Sequence, residues 1–527
     1  MQRSWNNARP TDFGETIAMM KRRTLLASSA AWLAATGAAS PLAALHAAPR
    51  SAGAGADKAD KSSITIGMVL EPPGLDPTIS AAAAVSEVTL YNIYETLTKI
   101  NPDGSVAPLL AESWEVSPDL HTYTFRLRRD AQFHNGQPFN AAAVKFSFDR
   151  AKAEKSTNKD KARFAKLSTE VVDEYTVRIR NEVIEPDLLF VLGQATAIIV
   201  EPQSVAKNAS APVGTGPYRL ARWNRGTALT LQRWDDSPRA AQLPIKTATF
   251  RFIADPAAHV ASLLAGDVDC FPRVAQRGVE QFKSDPRFQV LVSGSRAKTI
   301  LSINHRRKPL GDVRVRRAIA AAIDRRQVIE GAASGYGVPI GSHYVPGAFG
   351  YVDTTGINPY DPDKAVALLK EAGVKTPLKL RMTLPPTPYA RQGGIVIAAM
   401  LAKVGIQAQL ENVEWAQWLR NTMGQHQFDL TLISHVEPLD LGNYANPDYY
   451  WGYDSQAFRD IWEQTRSATQ PAERARLLGQ AQRLLAEDCV NAFLYQPQWV
   501  TVAHKDIRGL WRDMPIFVND LSALRWS

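Results

Sequence analysis

In "HTYTFRLRRDAQFHNGQPFNA" (His121 to Ala141), Tyr123, Phe125 and Leu127 alternate with Thr122, Thr124, Arg126 and Arg128. A period of two predicts a strand with one buried and one wet face. Asn135-Gly136 then marks a tight turn, since both residues tolerate positive φ. Asn140 is placed to cap a helix that carries Val144, Phe148 and Ala151 on one face.

Strands and helices alternate along the rest of the chain without repeats. "ITIGMVL", from Ile64, predicts a strand that "EPPGLDP" (Glu71 to Pro77) ends, because its prolines cannot continue a ladder. Val85, Val88, Leu90, Ile93 and Leu97 recur at roughly helical spacing. "YTVRIRN" (Tyr175 to Asn181) reads as a strand. "VRVRRAIAAAIDRRQVIEGA" (Val313 to Ala332) reads as one helix, with Val315, Ile319 and Ile323 on one face. "DPDKAVALLKEAG" (Asp361 to Gly373) is a helix capped at Asp361 or Asp363 and closed by Gly373. The class is mixed α/β, and 527 residues exceed what one hydrophobic core organises.

The N-terminus changes the picture. No Asp, Glu, Lys or Arg occurs from Thr24 to Pro49, and this run directly follows Lys21-Arg22-Arg23. A basic group before an apolar run predicts a secretory signal. Cleavage is expected after Ala47, with Ala44 and Ala48 as alternatives. The run is rich in Ala and diluted by Ser, Thr, Gly and Pro, so it makes a poor permanent anchor. Arg22 to Leu26 also resembles the twin-arginine export pattern, with Leu25 at the usual Phe. Residues 48–63 read as a flexible leader. Cys270 and Cys489 are the only cysteines, so none stands at the cleavage site to carry a lipid, and each is expected to be a buried small hydrophobe. A soluble, periplasmic mature protein follows.

The formal charge is +9, and three of these charges sit in the first 47 residues. The other basic residues interleave with acids, which predicts a solvated surface and no nucleic-acid partner. No H-E-x-x-H, paired C-x-x-C, G-x-S-x-G or Walker-type loop occurs, and the nine histidines are scattered singly. The chain therefore reads as a non-enzyme without cofactor or metal.

The stretch Pro108 to Ala151 resembles the signature region of family 5 extracellular solute-binding proteins of ABC importers, which include dipeptide, oligopeptide, nickel and opine binders. "EPPGLDP", "YETL" (Tyr94 to Leu97), "PVGTGPYRL" (Pro212 to Leu220), "LLAGDVDC" (Leu263 to Cys270) and "DVRVRRAIAAAIDRR" (Asp312 to Arg326) resemble further blocks in the same order. Asn140-Ala141-Ala142-Ala143 departs from the usual Thr-Ala-x-Asp and loses its acid. The resemblance implies a two-lobed flytrap with two crossing segments and an extra subdomain on the first lobe. Lobe I is expected at 64–103, 201–290 and 496–527, the subdomain at 104–200 and the far lobe at 291–495. The outward crossing is expected near Gln289 to Asn304 and the return near Ala492 to Val502. A monomer delivering a peptide-like or other polar organic solute to the permease subunits of an ABC transporter is implied. A periplasmic hydrolase and a chaperone or sensor are the rival uses of the scaffold.

In dipeptide-binding members of the family, an acid of the second lobe pairs with the ligand's amino group and an arginine before a helix holds its carboxylate. The matching stretch here is Asp429 to Ser455. His435 stands near the usual Trp, Asp440 is the expected acid and Glu437 the fallback. Arg391 lies close to the arginine's position, and Ile79 completes the ligand-contact set. Of Tyr444, Tyr449, Tyr450, Trp451 and Tyr453, two are expected to reach the cleft and the rest to pack the lobe.

Overall fold

The structure, a computed structural model, describes residues 61–80 and 82–527. The expected signal, its cleavage point and most of the flexible leader lie outside the described residues.

One 13-residue strand, Ala492–His504, organises the architecture. Its first half pairs antiparallel with Lys298–Ile303, its second with Phe288–Gly294. From its second half the sheet continues through Cys270–Phe271 and Ser63–Met68 to Thr247–Phe252, Ala228–Arg233 and Tyr218–Asn224. From its first half it continues through Leu430–His435 and Leu378–Leu384 to Ile406–Asn412. Each half carries its own core, which makes two lobes. The chain crosses outward along Phe288–Ile303 and returns along Ala492–His504.

The backbone ladder breaks between the lobes. Gly294↔Gln498 is the last pair on one side and Thr299↔Tyr495 the first on the other. Pro497 lies in the gap and has no N–H to give. Side chains bridge it instead: Ser295 Oγ donates to Pro497 O at 2.6 Å and Gln496 Nε2 to Ser295 O at 2.5 Å. On its other edge the long strand keeps backbone pairing through this stretch, with Gly337–Pro339 against Tyr495–Pro497, so the ladder is interrupted on one edge only, which still leaves the crossing a place for hinge motion.

The first lobe packs Ile64, Ile66, Val88, Tyr94, Leu229 and Phe250 together. A second core lies beside it in a four-stranded antiparallel sheet, ordered Ala111–Val116, Thr122–Leu127, Thr176–Asn181, Leu167–Asp173. Tyr123, Phe125 and Leu127 are buried as their alternation requires, and the helix Ala141–Lys152 adds Val144 and Phe148 to the same core. Asn140 Oδ1 accepts from the Ala142 and Ala143 amides, so the cap works without the missing acid. In the far lobe the sheet is covered on both faces. Leu301 and Ile303 enter a core with Val315, Ile319 and Leu401, while Ile300 points into one with Tyr444, Trp451 and Phe493.

Two helices differ from expectation. The first runs only from Ala83 to Thr89. Tyr91 has φ of 63°, and Leu90, Ile93 and Leu97 are buried in a turn and bridge rather than along a helix face. The single helix expected from Val313 is two, Val313–Ala321 and Arg325–Ala333. Asp324 restarts the second by accepting from the Arg326 and Gln327 amides. Cys270 and Cys489 are free and buried.

Candidate functional site

Between the lobes lies a cleft with two compartments that share Lys159 and Pro438 as lining residues. The inner one, about 250 Å³, sits at the hinge, walled by Leu90, Arg296, Val436, Glu437, Trp499 and Phe517. The outer one, about 460 Å³, lies between the four-stranded subdomain and the far lobe, lined by Asp160, Asp187, Tyr344, Trp462, Arg466 and Arg474. Pockets for drug-sized ligands run from about 300 to 1,000 Å³, so the inner compartment alone suits a smaller solute and a larger one would extend into the outer compartment. Arg474, on the far lobe's helix Pro471–Glu487, forms an ion pair with Asp187 of the subdomain across the outer compartment. Arg466 Nη2 also donates to the Ile184 carbonyl, at 3.4 Å.

Behind the cleft wall lies a buried polar cluster. Lys298 begins a strand whose six residues are all buried, and its Nζ lies 2.5 Å from Asp440 Oδ1. It also donates to the Glu437 carbonyl at 2.5 Å. His343 Nε2 is 2.9 Å and His435 Nδ1 3.2 Å from Asp440 Oδ2. The chain of bonds runs on through His343 Nδ1 to Tyr444 Oη at 3.0 Å, which also accepts from Asn491, and through His435 Nε2 to Tyr450 Oη at 2.9 Å. Burial would raise the Asp440 carboxyl, but His343, Lys298 and the hydrogen bonds from both histidines hold it well below its ordinary range. His343 is pushed down to about 4, first by burial and against the pull of Asp440, so it is neutral near pH 7. One atom each of His343, His435 and Asp440 lies within 4.8 Å of the others. The Lys298 ammonium already supplies the cation there.

These positions revise the expected contact set. Asp440 is paired internally and 9% exposed, so its charge is already matched. Tyr444, Tyr450, Trp451 and Tyr453 are buried in the far lobe's core, and only Tyr449 is partly open. Stacking of Tyr444 on Trp451, centroids 4.2 Å apart, explains why this aromatic run packs the lobe. His435 belongs to the internal cluster. Arg391 is exposed, 3.7 Å from Glu414, and lines neither compartment. Ile79 is exposed and also lines neither. Glu437 is exposed and lines the inner compartment, and among the described residues its carboxylate has no cationic partner.

Sequence reasoning missed Lys298, His343, Arg296 and the Asp187–Arg474 pair. Lys298 left little trace, since the strand it opens, Lys-Thr-Ile-Leu-Ser-Ile, mixes polar with apolar residues and does not announce its complete burial. His343 and Arg296 sit in irregular stretches where no period marks them, and Arg474, though on a helix, has its partner 287 residues away in the chain.

Residues 105–457 match the model for bacterial extracellular solute-binding proteins, family 5 middle. The chain belongs to this family. It is 27% identical over 491 residues to the dipeptide-binding protein of Escherichia coli K12, covering 83% of this chain and 90% of that one. It is also 27% identical over 506 residues to the glutathione-binding protein GsiB of Salmonella choleraesuis, covering 91% and 96%. Among solved structures, AgaA of A. tumefaciens R10 in complex with agropinic acid superposes with a TM-score of 0.75 at 27% identity, covering 88% of this chain and 99% of that one. HbpA2 of Haemophilus parasuis, at 21% identity, shares the fold with a TM-score of 0.80, covering 88% and 100%. The two-lobed architecture and the solute-binding role in ABC import are therefore those of the family. Among the described residues no helix is long and apolar enough to cross a membrane.

Proposed function

We propose that this receptor captures a small peptide-like or other polar organic solute in the inner compartment, closes its lobes over it and, as a monomer, presents it to the permease of an ABC importer. The observation that carries this reading is a cleft walled by both lobes, hinged on two crossing strands and spanned by the Asp187–Arg474 pair. A ligand touching both lobes favours the closed form by its differential affinity. We take lobe I as residues 64–103, 201–290 and 496–527, the subdomain as 104–200 and the far lobe as 291–495. The relatives include binders of dipeptides, glutathione and agropinic acid, all polar organic solutes of this size class. Of the acids singled out in the sequence, Glu437 is the one that faces the solute, while Asp440 holds the wall beneath it. We further propose export to the periplasm with removal of residues 1–47, without a lipid anchor.

The test is mass spectrometry of small molecules released from gently purified protein, followed by calorimetric titration of those found. Release of a polar organic solute that rebinds supports the reading. Failure to release one, together with no heat on titration of dipeptides, glutathione or opine acids, rejects it.

A further inference from the structure

The outer compartment is barred by a loop of the subdomain. Residues 182–187 join the strand Thr176–Asn181 to the short helix Leu188–Val191, and Val183 to Asp187 line the compartment. The subdomain fixes this loop from behind. Arg163 Nε lies 2.8 Å from Glu185 Oε1, Tyr123 Oη donates to the Glu185 carbonyl at 3.4 Å, and the Val191 amide donates to the Asp187 carbonyl at 3.0 Å. Leu188 and Leu192, just beyond it, are buried in the subdomain core. Two arginines on different helices of the far lobe reach the loop. Arg474, of Pro471–Glu487, pairs with Asp187, and Arg466, of Gln456–Ser467, donates to the Ile184 carbonyl. The Arg474 guanidinium also lies 5.5 Å from the centre of the Phe349 ring, which is 50% exposed and lines neither compartment. The Asp187–Arg474 pair therefore stands at the rim, between the compartment and open solvent.

We propose that the loop 182–187, held to the far lobe by Asp187 and Arg474, sets the greatest length of solute that the receptor accepts. This rests on the reading of the inner compartment as the ligand site. A solute that outgrows the 250 Å³ of the inner compartment must run past Lys159 and Pro438, which line both compartments, into the outer one. There it meets the loop. A solute that ends short of the loop leaves the pair intact, so both lobes close over it with their rim contact made. A longer one parts Arg474 from Asp187, and the closed form loses what the pair contributed to it. The rest of the outer wall carries both signs of charge, Lys166 and Arg466 against Asp160 and Glu185, so length and not end-group charge is what this compartment reads.

The test uses full-length mature protein and a series of alanine peptides from dipeptide to octapeptide. Calorimetric titration compares wild type, Asp187→Ala, Arg474→Ala and the double variant. Wild-type affinity should hold up to one length and fall about tenfold beyond it. Each single variant should raise affinity for the first excluded peptide up to about fivefold, lower it for the dipeptide by no more than the same factor and leave the melting temperature of the free protein unchanged. The double variant should match either single, because both remove one contact. A wild type without a length limit, or variants that keep the wild-type limit, overturn the role of the loop and leave the solute-binding reading standing. Wild type that binds no peptide of any length also overturns it, and if glutathione and opine acids give no heat either, the solute-binding reading falls with it.

Discussion

Lys298 Nζ and Asp440 Oδ1 are 2.5 Å apart, with both side chains less than a tenth exposed, so the acid that the sequence offers to a ligand is already spent on the protein. The pair ties the hinge end of a central strand to the loop behind the cleft wall. It belongs to stability before it belongs to recognition.

Removing one partner should therefore be severe. Lys298→Met or Asp440→Asn leaves an uncompensated buried charge or a broken network, costing about 3–5 kcal/mol each. Urea denaturation should show the loss in both single variants, and the double variant should recover much of it. A free Asp440→Asn protein as stable as wild type would show that the carboxylate is not held as described.

The Asp187–Arg474 pair should bias the closed form weakly. Its side chains are 32% and 17% exposed, and pairs open to water contribute about 1 kcal/mol or less. Arg474→Ala should leave the denaturation midpoint nearly unchanged, raise the radius of gyration of the ligand-free protein in X-ray scattering and weaken solute binding up to about fivefold. Unchanged scattering and unchanged affinity would argue that the pair is incidental to closure.

Acid should destabilise the fold before it touches ordinary carboxylates. Burial holds His134 and His343 at about 4 and, aided by the charge of Arg316, His305 at about 3. Their pKa values are lowered on folding, so below about 6.5 the unfolded chain takes up protons that the folded chain refuses. Stability is fully present above that pH and is lost as pH falls from about 6.5 toward 4, by on the order of 3 kcal/mol for His343 alone. Melting temperatures between pH 7.5 and 4.5 should fall steeply, and less steeply in His343→Gln.

Export should depend on Arg22 and Arg23 if the twin-arginine route is used. Replacing both by Lys should then leave unprocessed protein in the cytoplasm, as immunoblots of cell fractions would show. Full processing of the double variant would assign the general secretory route instead.

The regular parts of the fold were legible because period and cap chemistry are local. Tyr123, Phe125 and Leu127 declare a half-buried strand, and Asn140 and Asp361 declare helix starts, whatever the chain does elsewhere. The short helix after Ala83 was misread because Leu90, Ile93 and Leu97 are buried on all sides, so their spacing reports tertiary enclosure. The site was less legible. Glu437 lies on the cleft wall, but Asp440 looked unpaired because its partner stands 142 residues earlier in the chain. His343 and Arg296 lie in irregular segments that give no pattern at all.

The gap in the ladder around Ser295 and Pro497 has a mechanical meaning. When two bodies swing about a common axis, each atom travels an arc in proportion to its distance from that axis. Arg296 lies in this gap, where the two lobes join, so a swing of the lobes about the crossing would carry it through a shorter arc than residues at the rim of the cleft.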